Sequence, residues 1–168
     1  MKIKLFPIIA VGLLFFAWIC TLIGMGGWES GWASNDDCDF GWKAVSCSRG
    51  ASFDYDDDTD AKKGGDAAIA GSVLSFIFLM VAMGLCGVCI FGLGPGFLSF
   101  AGAGLNFFIA IIWMICWAAW AGITDEDRDD ADADPSWAFA FAIIGTIFTA
   151  IAGGLMATSP FFDITLKE

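Results

Sequence analysis

Cysteine is the reactive side chain that this sequence offers in pairs. Cys86-Gly-Val-Cys89 is a CxxC, a spacing at which two neighbouring thiols can take part in disulfide exchange. Cys38 and Cys47 form a second pair, nine positions apart, with Gly41 between them to permit a turn. A membrane thiol oxidoreductase would combine two such pairs. Here Cys86 and Cys89 sit near the far end of a hydrophobic block, and the other pair lies before its near end. A helix of about 20 residues would hold the pairs roughly 30 Å apart, whereas exchange needs direct sulfur contact. The CxxC is therefore read as small apolar packing residues, or as an acylation site near one membrane face. Cys38–Cys47 is expected to be a structural disulfide, contributing roughly 2–3 kcal/mol by constraining the unfolded chain.

Carboxylates are the other candidate. Asp54, Asp56, Asp58 and Asp60 alternate along the chain like the start of a calcium loop. Such a loop wants glycine at its sixth position and a bidentate glutamate at its twelfth. Thr59 and Gly65 stand there instead. A high-affinity EF-hand is excluded, and what remains is a weak, millimolar site for divalent cations. A second acidic run spans Asp125 to Asp134. The chain has no histidine, which removes histidine-based zinc and haem ligation and Ser-His or Cys-His catalysis. No metal and no cofactor is expected.

The elements that must carry these residues are hydrophobic. Apolar residues make up 58% of the 168, charged residues only 16%, and mean hydropathy is +0.73. An ordinary soluble domain carries about 25% charged residues, and a chain this short cannot hide so much apolar surface from water. The hydrophobic residues fall into four blocks, 5–25, 67–91, 97–123 and 137–160. Each meets the roughly 20 residues needed to cross a bilayer as a helix. The first block, preceded by Lys2 and Lys4, has the flanks of a signal peptide. Its length and the lack of a small-x-small site predict a retained helix. The expected fold is an all-α membrane protein, a single tetraspan domain over 1–168 with a four-helix bundle. Gly92 to Gly96 (GLGPG) is a tight turn, and residues 26–66 and 124–136 are two loops on the face opposite the termini.

Lys2 and Lys4 favour a cytoplasmic N-terminus, and a cysteine pair in the long loop suits an oxidising outer side. Each outer loop carries a net charge of −6: ten acidic against four basic side chains in the first, seven against one in the second. That field attracts cations and basic partners and disfavours nucleic acid. Trp28, Trp32, Trp117, Trp120 and Trp137 gather at the loop ends of the blocks, where amphipathic rings prefer the interface. Helix packing in lipid depends on small residues at close spacing. Ala138, Ala142, Thr146, Ala150 and Gly154 form one such stripe, and Gly102, Asn106 and Ala110 another. Asn106, the only amide within the blocks, is expected to hydrogen-bond a neighbouring helix. No block contains an ionisable acid or base, which argues against proton relays, voltage sensors and ion-coupled transport through the bundle.

Trp28, Phe40-Gly41-Trp42 and the flanking Cys38 and Cys47, in the first loop of four spans, resemble the first-loop signature of the claudin-like tetraspan superfamily. Trp28 matches its first tryptophan, and Phe40-Gly41-Trp42 stands for Gly-Leu-Trp. In claudins both cysteines follow that motif, whereas here Cys38 precedes Trp42. The order Cys38, Trp42, Lys43, Cys47 is closer to the amastins, surface tetraspans of kinetoplastid protists, although their spacing is one residue longer and their glycine follows the tryptophan. The resemblance implies a first loop folded as a small antiparallel sheet pinned by Cys38–Cys47, with Trp28, Gly41 and Trp42 anchoring it. It implies a plasma-membrane protein without enzymatic activity. The expected role is an accessory or structural subunit of a larger membrane assembly, such as a channel. The alternative is a self-associating adhesion, barrier or surface-organising protein, and the remote alternative a thiol oxidoreductase.

Overall fold

The computed structural model describes residues 3–26, 31–47, 52–55, 60–91, 96–125, 129, 132–162 and 165–166. Four helices carry the chain: α1 (Leu5–Gly26), α2 (Asp60–Ile90), α3 (Phe97–Ile123) and α4 (Trp137–Thr158). Each is long and apolar enough to cross a membrane, so the chain has the make-up of a multi-pass membrane protein. The helices close a ring in which α1 and α3 each pack against both α2 and α4. Ala10, Leu14, Ala17, Ala82 and Ala152 lose all their accessible surface inside it. Phe15, Ile77, Ile111 and Ile147 stay about half exposed on the outside. Small residues within and large apolar residues without is the pattern expected where lipid, not water, is the outer solvent.

Helical periodicity decides which small residues meet a neighbour. In α4 the buried positions are Ala138, Ala142, Gly145, Thr149, Ala152, Gly153 and Met156. A strict four-residue stripe starts on this face at Ala138 and Ala142. It then drifts off, because 3.6 residues make a turn and each four-residue step over-rotates. Thr146, Ala150 and Gly154 are accordingly only half-buried, and no neighbour lies near where a Gly154 side chain would be. In α3 the expected Gly102, Asn106 and Ala110 are all buried, together with Ser99, Ala103, Ile109, Trp113 and Trp120.

Helix α2 starts at Asp60, earlier than its hydrophobic block. The added turns hold Ala61, Lys62 and Lys63, all helix-compatible, and a Lys62–Asp66 pair at 3.8 Å and i,i+4 spacing. The first outer loop is shorter by this extension, whose Gly64 lies against Trp120 and Ile123 of α3.

Two small sheets lie at opposite ends of the bundle. At one end β1 (Ile3–Lys4) pairs antiparallel with β7 (Thr165–Leu166). At the other end β2 (Ala33–Ser34), β3 (Cys38–Phe40), β4 (Ala44–Cys47), β5 (Ser52–Asp54) and β6 (Asp134–Pro135) form one antiparallel sheet in the order β5-β4-β3-β2-β6. Four strands come from the first outer loop and β6 from the second, so the two loops share one sheet. Cys38 and Cys47 are register partners on β3 and β4 and are joined by the disulfide.

Candidate functional site

The outer sheet is held on the bundle by tryptophans. Trp32 and Trp42 have no accessible surface. Their ring centroids are 4.6 Å apart, and Trp32 lies 5.0 Å from Trp120 of α3 and 5.8 Å from Phe139 of α4. The Trp32 Nε1–H donates to the Gly24 carbonyl at 3.0 Å. That carbonyl belongs to the last turn of α1 and has no partner within the helix. The Ala138 N–H, in the first turn of α4, is likewise satisfied by the Gly31 carbonyl at 2.8 Å. A helix end on each side is thus closed by the segment that leads into the sheet.

Two glycines permit the seating. Gly31 has φ +94°, and a Cβ there would enter the Trp137 ring. A Cβ at Gly65, on the raised start of α2, would enter the Trp42 carbonyl. Gly65 costs helix propensity but lets α2 lie directly against the backbone of Trp42. Sequence reasoning missed both glycines; its anchor Trp28 lies outside the described residues, and Trp32, which it placed only among the interfacial tryptophans, is a buried anchor. The signal was available: Trp32 follows a glycine, and its spacing from Trp42 matches a two-strand excursion. Gly41 is buried beside Trp42, and its N–H donates to the Ala44 carbonyl at 2.9 Å, so both are placed as expected.

Register sorts the sheet into two faces. Pro135, Ala33, Phe40, Val45 and Phe53 are successive cross-strand partners and share one face; Asp134, Ser34, Asp39, Ser46 and Ser52 share the other. Phe40 packs against the tryptophan cluster, so the apolar row faces the bundle and the polar row faces away. The β2–β3 turn is fixed by the Asn35 Oδ1, which accepts the Asp37 and Cys38 N–H groups at 3.0 and 2.7 Å. Above it opens a cleft of about 580 Å³ lined by Ser34, Asn35, Asp36, Asp37, Asp132 and Asp134, again drawn from both outer loops. This is an acidic display shared by the two loops.

The remaining candidates are placed as follows. Asp54 is exposed on β5 and Asp60 begins α2, whereas Asp56 and Asp58 lie outside the described residues. Among the described residues no three carboxylates or thiols gather into a metal site. Cys86 and Cys89 are buried on the α2 face toward α3, and Cys89 Sγ accepts from the Ser99 hydroxyl at 3.7 Å. This fits packing residues. Asn106 is fully buried and faces the Cys86 thiol of the neighbouring α2, although neither its Nδ2 nor its Oδ1 makes a hydrogen bond of standard geometry to a described residue.

No family model matches the chain, and no curated protein matches it either.

Proposed function

We propose that the protein is a claudin-like, non-enzymatic tetraspan that serves as an accessory or structural subunit of a larger plasma-membrane assembly. The outer loops face the cell exterior in this reading, and both termini are cytoplasmic. The observation that carries it is the outer sheet itself. A subunit that docks a partner needs a surface whose shape does not change on binding, because ordering a loop at that moment costs affinity. Both outer loops are spliced into one sheet, cross-linked by Cys38–Cys47, and pinned to all four helices through Trp32 and Trp42. The result presents carboxylates in a fixed array, suited to a basic partner, and the helix faces below offer lipid-exposed apolar surface to a partner's spans.

The test is the size and subunit content of the native complex after mild detergent extraction. A fixed stoichiometry with a larger membrane protein is the expected result. A ladder of homo-oligomers would replace this reading with self-associating adhesion or barrier assembly, and a monomer would sink both.

A further inference from the structure

The two edges of the outer sheet are built differently. Antiparallel pairs alternate between those that exchange backbone hydrogen bonds and those whose N–H and C=O groups point away from the partner strand. At the β6 edge the Ser136 N–H donates to the Trp32 carbonyl at 2.9 Å. The next pair, Ala33–Pro135, is then a pair whose β6 groups face outward. Proline supplies no N–H there, so this edge is closed to another strand. At the β5 edge the Tyr55 N–H donates to the Lys43 carbonyl at 3.0 Å. By the same alternation Phe53 bonds inward to Val45, while the N–H and C=O groups of Ser52 and Asp54 face outward. Among the described residues no strand pairs with that side.

The side chains on β5 are as open as its backbone. The apolar row that runs beneath the sheet is covered at Ala33 and ends at Phe53, which is 62% exposed. Its neighbour Asp54 is exposed on the other face, and the sequence continues with Asp56, Asp57 and Asp58. Open backbone groups exclude burial of this edge in hydrocarbon. A second copy of the chain would bring another two loops of net charge −6 each against the same field.

We propose that β5 is a docking edge for an extended segment of the partner, added as a sixth strand, with an apolar residue opposite Phe53 and basic residues opposite Ser52 and Asp54 on the outward face. Main-chain bonds to Ser52 and Asp54 hold such a strand, and alternate side chains select it. This inference rests on the accessory-subunit reading and names the chemistry by which the partner is recognised.

The probe is a fluorescent nine-residue peptide of alternating lysine and valine, titrated by anisotropy onto the full chain in a neutral detergent. The controls are a scrambled peptide of the same composition and one N-methylated at alternate backbone nitrogens. The alternating peptide is expected to bind at least tenfold more tightly than either. S52P removes an outward N–H without touching the β4–β5 ladder, and it is expected to weaken binding at least tenfold with the circular dichroism spectrum unchanged. D54K keeps the N–H and is expected to exchange the preference for a glutamate–valine peptide. Equal binding of the alternating and scrambled peptides would reduce the effect to bulk charge and overturn the proposal, as would equal binding by the wild type and S52P, no binding at all, or edge-to-edge dimers trapped by disulfide formation in F53C. If S52P still co-purifies with a larger membrane partner at fixed stoichiometry, the accessory reading stands and the β5 edge fails. If the wild type co-purifies with none, the accessory reading fails whatever the peptide does.

Discussion

Gly65 and Gly87 lie on the same helix, and alanine should act on them with opposite sign. Alanine gains about 1 kcal/mol of helix propensity over glycine at either position. Nothing lies within contact distance of a Cβ at Gly87, so Gly87→Ala should raise the thermal midpoint slightly. At Gly65 the new atom meets the Trp42 backbone, which cannot swing aside. Overpacking of about 1–3 kcal/mol or more then outweighs the gain, and Gly65→Ala should lower the midpoint. Thermal unfolding of both variants in one detergent checks the pair; a stabilising Gly65→Ala would mean that α2 does not bear on the sheet. Trp42→Ala should cost about 3–5 kcal/mol as a buried aromatic deletion. Asn106 is the reverse case. A fully buried amide that makes no hydrogen bond of standard geometry to a described residue carries a desolvation cost of about 1–3 kcal/mol, so Asn106→Leu should stabilise the bundle. A destabilised Asn106→Leu would reveal that the amide has a partner, such as a buried water. Sequence reasoning found Asn106 and Trp42 because an amide in an apolar block and a tryptophan in a loop are each anomalous in type. It could not find Gly65, since a glycine's importance lies in the atom that approaches it from elsewhere in the chain.

At the scale of elements, the disulfide ties β3 to β4 inside the sheet rather than closing a free loop. Cys38→Ser with Cys47→Ser should therefore cost roughly 2–3 kcal/mol and loosen the outer sheet while leaving the helices folded. Faster amide exchange confined to 33–47, with unchanged helical circular dichroism, is the expected signature; loss of helical signal would mean that the bundle depends on the sheet. The four spans were legible because lipid imposes a length and a composition on a crossing helix. Their inner faces were legible only near Ala138 and Ala142, where a four-residue spacing has not yet drifted from the true period. The outer sheet was half legible. The paired cysteines flag β3 and β4, whereas β2 and β6 are two residues each. Strands so short carry no periodicity, and β2 is placed by Trp32 docking on the bundle.

For the whole molecule, charge and architecture agree on a division of labour between an uncharged bundle and an acidic outer face. Association with a basic partner through that face should weaken as salt rises, because exposed charges are screened beyond about 8 Å at physiological ionic strength. Contacts between spans should not. Native complexes washed at high salt in mild detergent should lose the outward contact first, and a complex indifferent to salt would place the whole interface in the membrane. The β1–β7 pair at the other end has a separate consequence. Ile3 opposes Leu166 and Lys4 opposes Thr165, so the first and last strands already lie side by side like the arms of a hairpin. A turn of about four residues would join them, turning the chain into a ring that can be cut elsewhere. A circularly permuted gene that begins at Phe97 and runs through the joined arms to Phe91 should yield the same four-helix ring with its new ends at the end of the bundle that carries β1 and β7.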